Sequence, residues 1–426
     1  MLSKWIKGLM LVTAMSGLCP ATQANTTGTD KPVPIPPAAI KVTPAKLPPA
    51  DTSPAPVKSN GSLPTKSISA PETIEPLATK HTGLVRIGVV LPMRSTALGA
   101  AANAVYSGIQ AGQEREPEGV LINVIETDGT ALDAATAYAK ASAQNDIIIG
   151  PLSRTELSAI ASGEKILKPT IALAPADVAS DAENGLPPKI LAIGLSIEQQ
   201  ARQLAIGVSS YKTINKAFVI STSTAWQRRA ANAFVAQWRK LGLEAELIDL
   251  QINDGYVSAN SLVLLKKRLH TENPGLMFVA LDAGQTAQLR LGVGTDVAVY
   301  GTSQLNHRPP SEGQMFERRN ELDGTRLLDI PWQLQPDDPA VMTYPRLVVG
   351  ADEQYSPDLS RLYALGIDAY RVAREIASNN HNFDLDGVTG KLAINFGEGP
   401  ARFERTEQPA IYRDGLVVPV LGITQP

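Results

Sequence analysis

The alternation of apolar and polar positions sets in at Leu84 and holds almost to the end of the chain. Val85 to Leu91 is a short β-branched run, suited to a strand buried on both faces. The polar turn Pro92 to Thr96 follows, and Leu98, Ala102, Val105 and Ile109 then recur at helical spacing. This strand, loop and helix unit repeats. Strands are predicted over Val120 to Ile125, Asp146 to Ile149, Thr170 to Leu173 and Ile190 to Ile193, with helices near Ala131 to Ala143, Ser153 to Ile166 and Ser196 to Ser209. A second series places strands at Lys216 to Ile220, Glu244 to Leu250, Leu276 to Ala280 and Val297 to Tyr300, with helices near Trp226 to Leu241, Val257 to Leu269 and Gly284 to Leu291. In the first of these helices Trp226, Ala230, Phe234, Gln237 and Leu241 form a stripe, with Ala233 and Trp238 beside it, which is a packing face.

Alternating βα units imply parallel sheets covered by helices. Two such series predict an α/β fold of two doubly wound, Rossmann-like lobes joined by a multi-crossing hinge, with a crevice at the carboxyl ends of the strands. The remaining elements return to both lobes. They are a strand at Gly324 to Leu328, a long helix lined by Leu359, Leu362, Tyr363, Gly366, Ile367 and Tyr370, and strands from Lys391 onward. Arg361, Arg371 and Arg374 are expected to face solvent from that helix. The predicted division is residues 83–205 with parts of 306–330 and 355–380 in the first lobe. Residues 206–305 with parts of 331–354 and 381–426 form the second.

Ahead of this pattern, Lys4 and Lys7, an apolar stretch from Gly8 to Met15 and then small residues have the order of a secretory signal peptide over 1–24, cut after Ala24. The competing route is lipid attachment at Cys19, although Ser16-Gly17-Leu18 puts leucine where a small residue normally stands. Residues 25–82 are rich in Pro, Thr, Ala, Ser and Lys and read as a disordered linker, extending about 3.1 Å per residue where proline stiffens it. The expected location is the periplasm, with outer-membrane anchoring if Cys19 carries lipid.

A net charge of −3 gives no basic face for nucleic acid. Cys19 is the only cysteine, so the processed chain has no disulfide and no thiolate nucleophile. His81, His270, His307 and His381 show no His-Glu-x-x-His spacing, and neither a Gly-x-Ser-x-Gly elbow nor a Walker-type loop occurs. No catalytic residue, metal site or cofactor is predicted.

Two sets of motifs carry a resemblance. Arg86-Ile87-Gly88-Val89-Val90-Leu91-Pro92 and Ile148-Ile149-Gly150-Pro151-Leu152-Ser153, with the two-lobe order, are similar to the type I periplasmic-binding-protein fold. Leu322 to Arg326, Asp329-Ile330-Pro331-Trp332, Arg361 to Tyr370 and Gly387-Val388-Thr389-Gly390-Lys391-Leu392 resemble the penicillin-binding-protein activator family, the LppC-type lipoproteins. This resemblance implies a non-enzymatic envelope regulator that binds and activates a class A penicillin-binding protein, a peptidoglycan synthase. Longer members carry a helical-repeat domain ahead of the two lobes, where this sequence has the proline-rich stretch.

The alternative is a solute receptor of an ABC importer for amino acids or similar small polar ligands. Its candidate cleft residues are Ser95, Thr96, Ser153, Thr155, Ser221, Thr222, Thr302 and Ser303, whose hydroxyls and backbone amides could hold a carboxylate, with Asp282 for an ammonium group. Hydroxyl residues after strands also commonly cap the following helix. Pro331 and Trp332 are expected at a hinge crossing or an interface between the lobes.

Overall fold

The computed structural model describes residues 84–163, 166–175, 186–210, 214, 216–306, 318–347, 356–397 and 399–420. The predicted signal peptide, linker and Cys19 lie outside them, as do His81 and His307.

The first lobe opens with β1 (Val85–Leu91), α1 (Gly99–Arg115), β2 (Val120–Glu126), α2 (Ala131–Gln144), β3 (Ile147–Ile149), α3 (Arg154–Ala161), β4 (Thr170–Ala172) and β5 (Ile190–Ala192). Its strands are parallel in the order β2-β1-β3-β4-β5. Side chains on a strand alternate faces. Thus Ile87, Val89 and Leu91 enter the layer under α1, while Val90 meets Tyr138, Ala141 and Leu157 on the opposite face.

The second lobe follows with α4 (Ile197–Ser209), β6 (Lys216–Ser221), α5 (Ala225–Lys240), β7 (Glu244–Asp249), the short hairpin β8 (Ile252–Asn253) and β9 (Tyr256–Val257), α6 (Ala259–Glu272), β10 (Leu276–Val279), α7 (Ala283–Val293), β11 (Val299–Gly301) and β12 (Arg326–Asp329). After it come α8 (Pro331–Leu334), α9 (Pro339–Met342), α10 (Pro357–Ala377), β13 (Asn382–Gly387), β14 (Gly390–Asn395), β15 (Arg402–Thr406), β16 (Gln408–Arg413) and β17 (Leu416–Pro419). The second sheet runs β17-β16-β12-β11-β10-β6-β7, with β16 and β17 antiparallel. Its core stacks Phe234 between Phe278 and Trp238, at centroid distances of 4.3 and 5.3 Å. Ala230, Phe234 and Trp238 of the face predicted for α5 pack here, whereas Leu241, at the end of the predicted stripe, is exposed.

The late segments return to both lobes, element by element. Ala201, Leu204, Ala205 and Val208 of α4 pack with Phe234 and Trp238, so the second lobe already begins there rather than at 206. β12, within the stretch 306–330 of which parts were expected in the first lobe, hydrogen-bonds β11 in the second sheet. α8 and α9 place Trp332 and Val341 in a cluster with Ala111 of α1 and Tyr363 and Ile367 of α10. The sheet β13-β14-β15, assigned to the second lobe, lays Leu392, Ile394 and Phe396 on the first core. Periodicity marks which face of an element is apolar but not which partner covers it.

α10 is buried nearly all round from Ser360 to Ala373, because α1 covers one side and the crossings and β14 cover others. Its contact with α1 is backbone to backbone. A Cβ on Gly108 would run into the Tyr363 carbonyl oxygen, and one on Gly366 into that of Val105. Tyr370 Oη closes the far end of this contact on the Glu116 carbonyl at 2.6 Å.

Candidate functional site

The strand-end loops hold their own polar groups. Ser95 Oγ accepts from the Leu98 amide at 3.3 Å, while Thr96 is exposed beside it. Ser153 caps α3: its Oγ accepts from the Glu156 amide at 3.2 Å, Glu156 Oε2 accepts from the Ser153 amide at 3.0 Å, and Thr127 Oγ1 donates to Glu156 Oε1 at 3.1 Å. Thr155 is exposed on the first turn of α3. Arg94, in the loop after β1, pairs with Asp133 at 2.6 Å.

In the second lobe Ser221 Oγ donates to Asp249 Oδ1 at 2.5 Å. Buried Thr222 bonds Gln227, whose Nε2 donates to Gln285 Oε1 at 2.7 Å. Gln285 belongs to the capping box of α7, in which Asp282 Oδ1 accepts from the Gln285 amide at 2.8 Å. The Asp282 carboxylate is therefore engaged as a helix cap. Thr302 caps the 3₁₀ turn Ser303–Leu305, and the Ser303 amide donates to Gln200 Oε1 at 2.9 Å. The structure joins Thr222 to Asp282 through two glutamines and joins Ser303 to the crossings. Ser95 and Ser153 are held by partners in the first lobe.

The crossings follow β5, β12 and β15, and the activator-family motifs meet there. Asp329, at the end of β12, is fully buried and takes Arg361 of α10 in a bidentate pair, Nη2 to Oδ2 at 2.7 Å and Nε to Oδ1 at 2.9 Å. Arg361 also donates to the carbonyls of Ser303 at 3.0 Å and Asn306 at 2.9 Å and to Asp358 at 2.8 Å. Burial works against its charge, but Asp329 more than offsets this, and its pKa is raised. Arg361 was expected in solvent; it is buried because the helix face it occupies is covered by the second crossing.

Pro331 starts α8, where its missing amide costs no helical bond. Trp332 is fully buried, donates from Nε1 to Ser360 Oγ at 3.0 Å, lies 5.4 Å from Tyr363 and carries Arg346 over its ring at 4.3 Å. Its amide donates to the Val388 carbonyl at 2.9 Å. The same turn is gripped by Asp368 of α10, which accepts from the amides of Val388 at 3.0 Å and Thr389 at 2.8 Å and from Thr389 Oγ1 at 2.6 Å. A carboxylate holding several donors fixes the turn against the helix.

Arg405 of β15 ties the third crossing to the first through the carbonyls of Ile193 at 2.7 Å and Gly194 at 3.1 Å. Glu198 adds a link at the start of α4, bonded by Arg229 of α5 at 2.8 Å and Arg154 of α3 at 3.2 Å. Burial opposes its charge, yet Arg229 and other partners hold its carboxyl below the usual range. Gln200, Arg361, Asp368, Arg405 and Glu407 are residues of this network that sequence reasoning missed. The available signal was a charged residue inside an apolar stripe, as at Arg361 and Asp368.

This arrangement ties the three crossings to one another through hydrogen bonds and ion pairs. Among the described residues, no group of three or more His, Cys, Asp and Glu could hold a metal ion, and no helix is long and apolar enough to cross a membrane. Concavities among the described residues include the following. One of about 370 Å³ is lined by Lys266, His270, Met277 and Asp296, and one of about 450 Å³ on the outer face of β13, β14 and β15 is lined by Asp384, Asp386, Lys391, Ala393 and Glu404.

A solved structure described as a "putative branched-chain amino acid ABC transporter" from Chromobacterium violaceum is 32% identical, with a TM-score of 0.61 over 77% of this chain and 100% of that one. Full-length LpoA from Haemophilus influenzae is 20% identical, with a TM-score of 0.63 over 80% of this chain, which spans 59% of that protein's length. The LpoA C-domain from the same organism, described as a regulator of PBP1A, is 19% identical, with a TM-score of 0.59 over 79% of this chain and 100% of that one. No curated protein matches the sequence. The fold is that of the type I periplasmic-binding proteins. With residues 64–415 matching the family described as "LppC putative lipoprotein", the chain belongs to that family.

Proposed function

We propose that the protein is a non-enzymatic regulator that binds and activates a class A penicillin-binding protein. The observation that carries this is the family match over residues 64–415. It is supported by the self-satisfied loops at the strand ends, whose hydroxyls cap helices and bond neighbouring side chains. Activation requires that the protein bind the active conformation of the synthase more tightly than the inactive one. The crossings would serve by holding two lobes as one shaped body. A periplasmic site of action, reached through cleavage after Ala24 or lipidation at Cys19, belongs to the same proposal, and mass spectrometry of the mature N-terminus distinguishes these routes.

The test is binding to the purified cognate synthase by surface plasmon resonance, with glycan polymerisation followed in parallel. Saturable binding with a raised rate is expected. Failure of both would refute the proposal.

The 32% identity to the Chromobacterium violaceum protein favours a second reading, an importer receptor for amino acids or similar polar solutes. Ligand that binds only the folded state raises the melting temperature, by an amount that grows with concentration. A thermal-shift screen of amino acids and small peptides is expected to show no such rise if the regulator reading holds, and a concentration-dependent rise would establish the receptor.

A further inference from the structure

The chain makes its last passage between the lobes at Glu407, which joins β15 to β16 and is only 4% exposed. The carboxyl of this residue has a neutral partner: Gln200 Nε2 of α4 donates to Oε2 at 2.7 Å. A second glutamine of α4 clamps the backbone, Gln203 Nε2 donating to the Glu407 carbonyl at 3.0 Å and the Glu407 amide donating to Gln203 Oε1 at 3.1 Å. The other end of Gln200 accepts the Ser303 amide. One side chain thereby connects the last crossing, α4 and the loop after β11.

The charged groups around this carboxyl direct their hydrogen bonds to other partners. From β15, Arg405 bonds Ile193, Gly194 and Thr389 Oγ1. From α10, Arg361 is taken up by Asp329, and Asp329 itself presents a like charge from the end of β12. The groups on α4 are the two uncharged glutamines. Arg405 and Arg361 favour the ionised form through space, but neither donates a hydrogen bond to the carboxyl and burial outweighs them, so the charged form is relieved by protonation or by admitting water.

We propose that Glu407 is a proton-operated latch between the lobes: neutral, it keeps α4 seated against the last crossing; ionised, it draws water into the crossing and frees the lobes to sample other angles. Burial pushes this carboxyl up to about 8, which puts the change near neutral pH. Gln200 bonds either form, so the balance rests on hydration of the carboxylate. The latch operates whatever surface a partner uses.

The test places one spin label on each lobe of the full chain, at Leu132→Cys on α2 and Val263→Cys on α6, which are 80% and 67% exposed. Cys19→Ser removes the remaining thiol. Inter-lobe distances are measured by double electron–electron resonance from about pH 5 to about pH 9, a window that brackets both forms of the group. The latch predicts a narrow distribution in acid that broadens or shifts as pH rises through the titration of Glu407. The Glu407→Gln variant should keep the acid distribution throughout. An unchanged distribution in the native sequence over the whole range overturns the proposal, and this series stands even if the variant folds poorly. A Glu407→Gln variant that responds to pH as the native sequence does overturns it as well.

Discussion

Replacing Asp329 with alanine would leave the Arg361 guanidinium buried without its counter-charge. The pair is bidentate, at 2.7 and 2.9 Å, with Asp329 wholly enclosed and the Arg361 side chain 6% exposed. Removing one partner of such a pair typically costs about 3–5 kcal/mol, because the remaining ion keeps its desolvation penalty. Asp329 also accepts from Asn306 Nδ2 at 2.8 Å and from the Ile330 amide at 2.8 Å, so the larger part of that range is expected. Arg361→Met should cost a similar amount, since it strands the carboxylate and frees the Ser303 and Asn306 carbonyls. The double variant Asp329→Ala with Arg361→Met removes both charges and leaves only these neutral groups unpaired, at about 1 kcal/mol or somewhat more each. Its total should therefore fall below the sum of the single changes by about 2–3 kcal/mol, a coupling typical of residues in one network. Urea unfolding of the four proteins, followed by tryptophan fluorescence, measures these differences. Strict additivity, or a loss below about 1 kcal/mol for Asp329→Ala, would refute the assignment of this pair as the lock of the second crossing.

Further outcomes can be checked with the same apparatus. Gly366→Ala places a methyl group against the Val105 carbonyl, forcing α1 and α10 apart, and should cost about 1–3 kcal/mol or more in the melting transition. Ser153→Ala removes an N-cap hydroxyl and should cost about 1 kcal/mol in the same melting measurement. Glu407, raised to about 8 from the usual 4.5, binds its proton more tightly in the folded chain than in the unfolded one. Its stabilising contribution is therefore complete below the unfolded value and is lost as pH rises through the folded one, at up to about 1.4 kcal/mol per pH unit. Glu407→Gln should flatten that slope in chemical-denaturation curves taken across the same range.

The doubly wound lobes were legible because burial on both faces of a parallel strand leaves an uninterrupted apolar run, as in Val85 to Leu91, and helix packing leaves a stripe, as around Phe234 and Trp238. The strand-end hydroxyls were legible only as residue types. A serine after a strand reads alike whether it faces a ligand or caps the next helix, and the Ser153–Glu156 and Asp282–Gln285 boxes show which bonds these residues make. Local pattern thus determined the elements, their alternation and the two-lobed class, since these follow from periods of about two and 3.6 residues within short windows. The tertiary structure decided where β12 and β13 to β15 belong, that Arg361 is buried, and that Asp329, Asp368, Arg405 and Glu407 converge on the crossings. Those partners are far apart in sequence, as Gln200 and Glu407 are. Only folding the chain back on itself brings them within hydrogen-bonding distance, and short-range periodicity carries no record of such contacts.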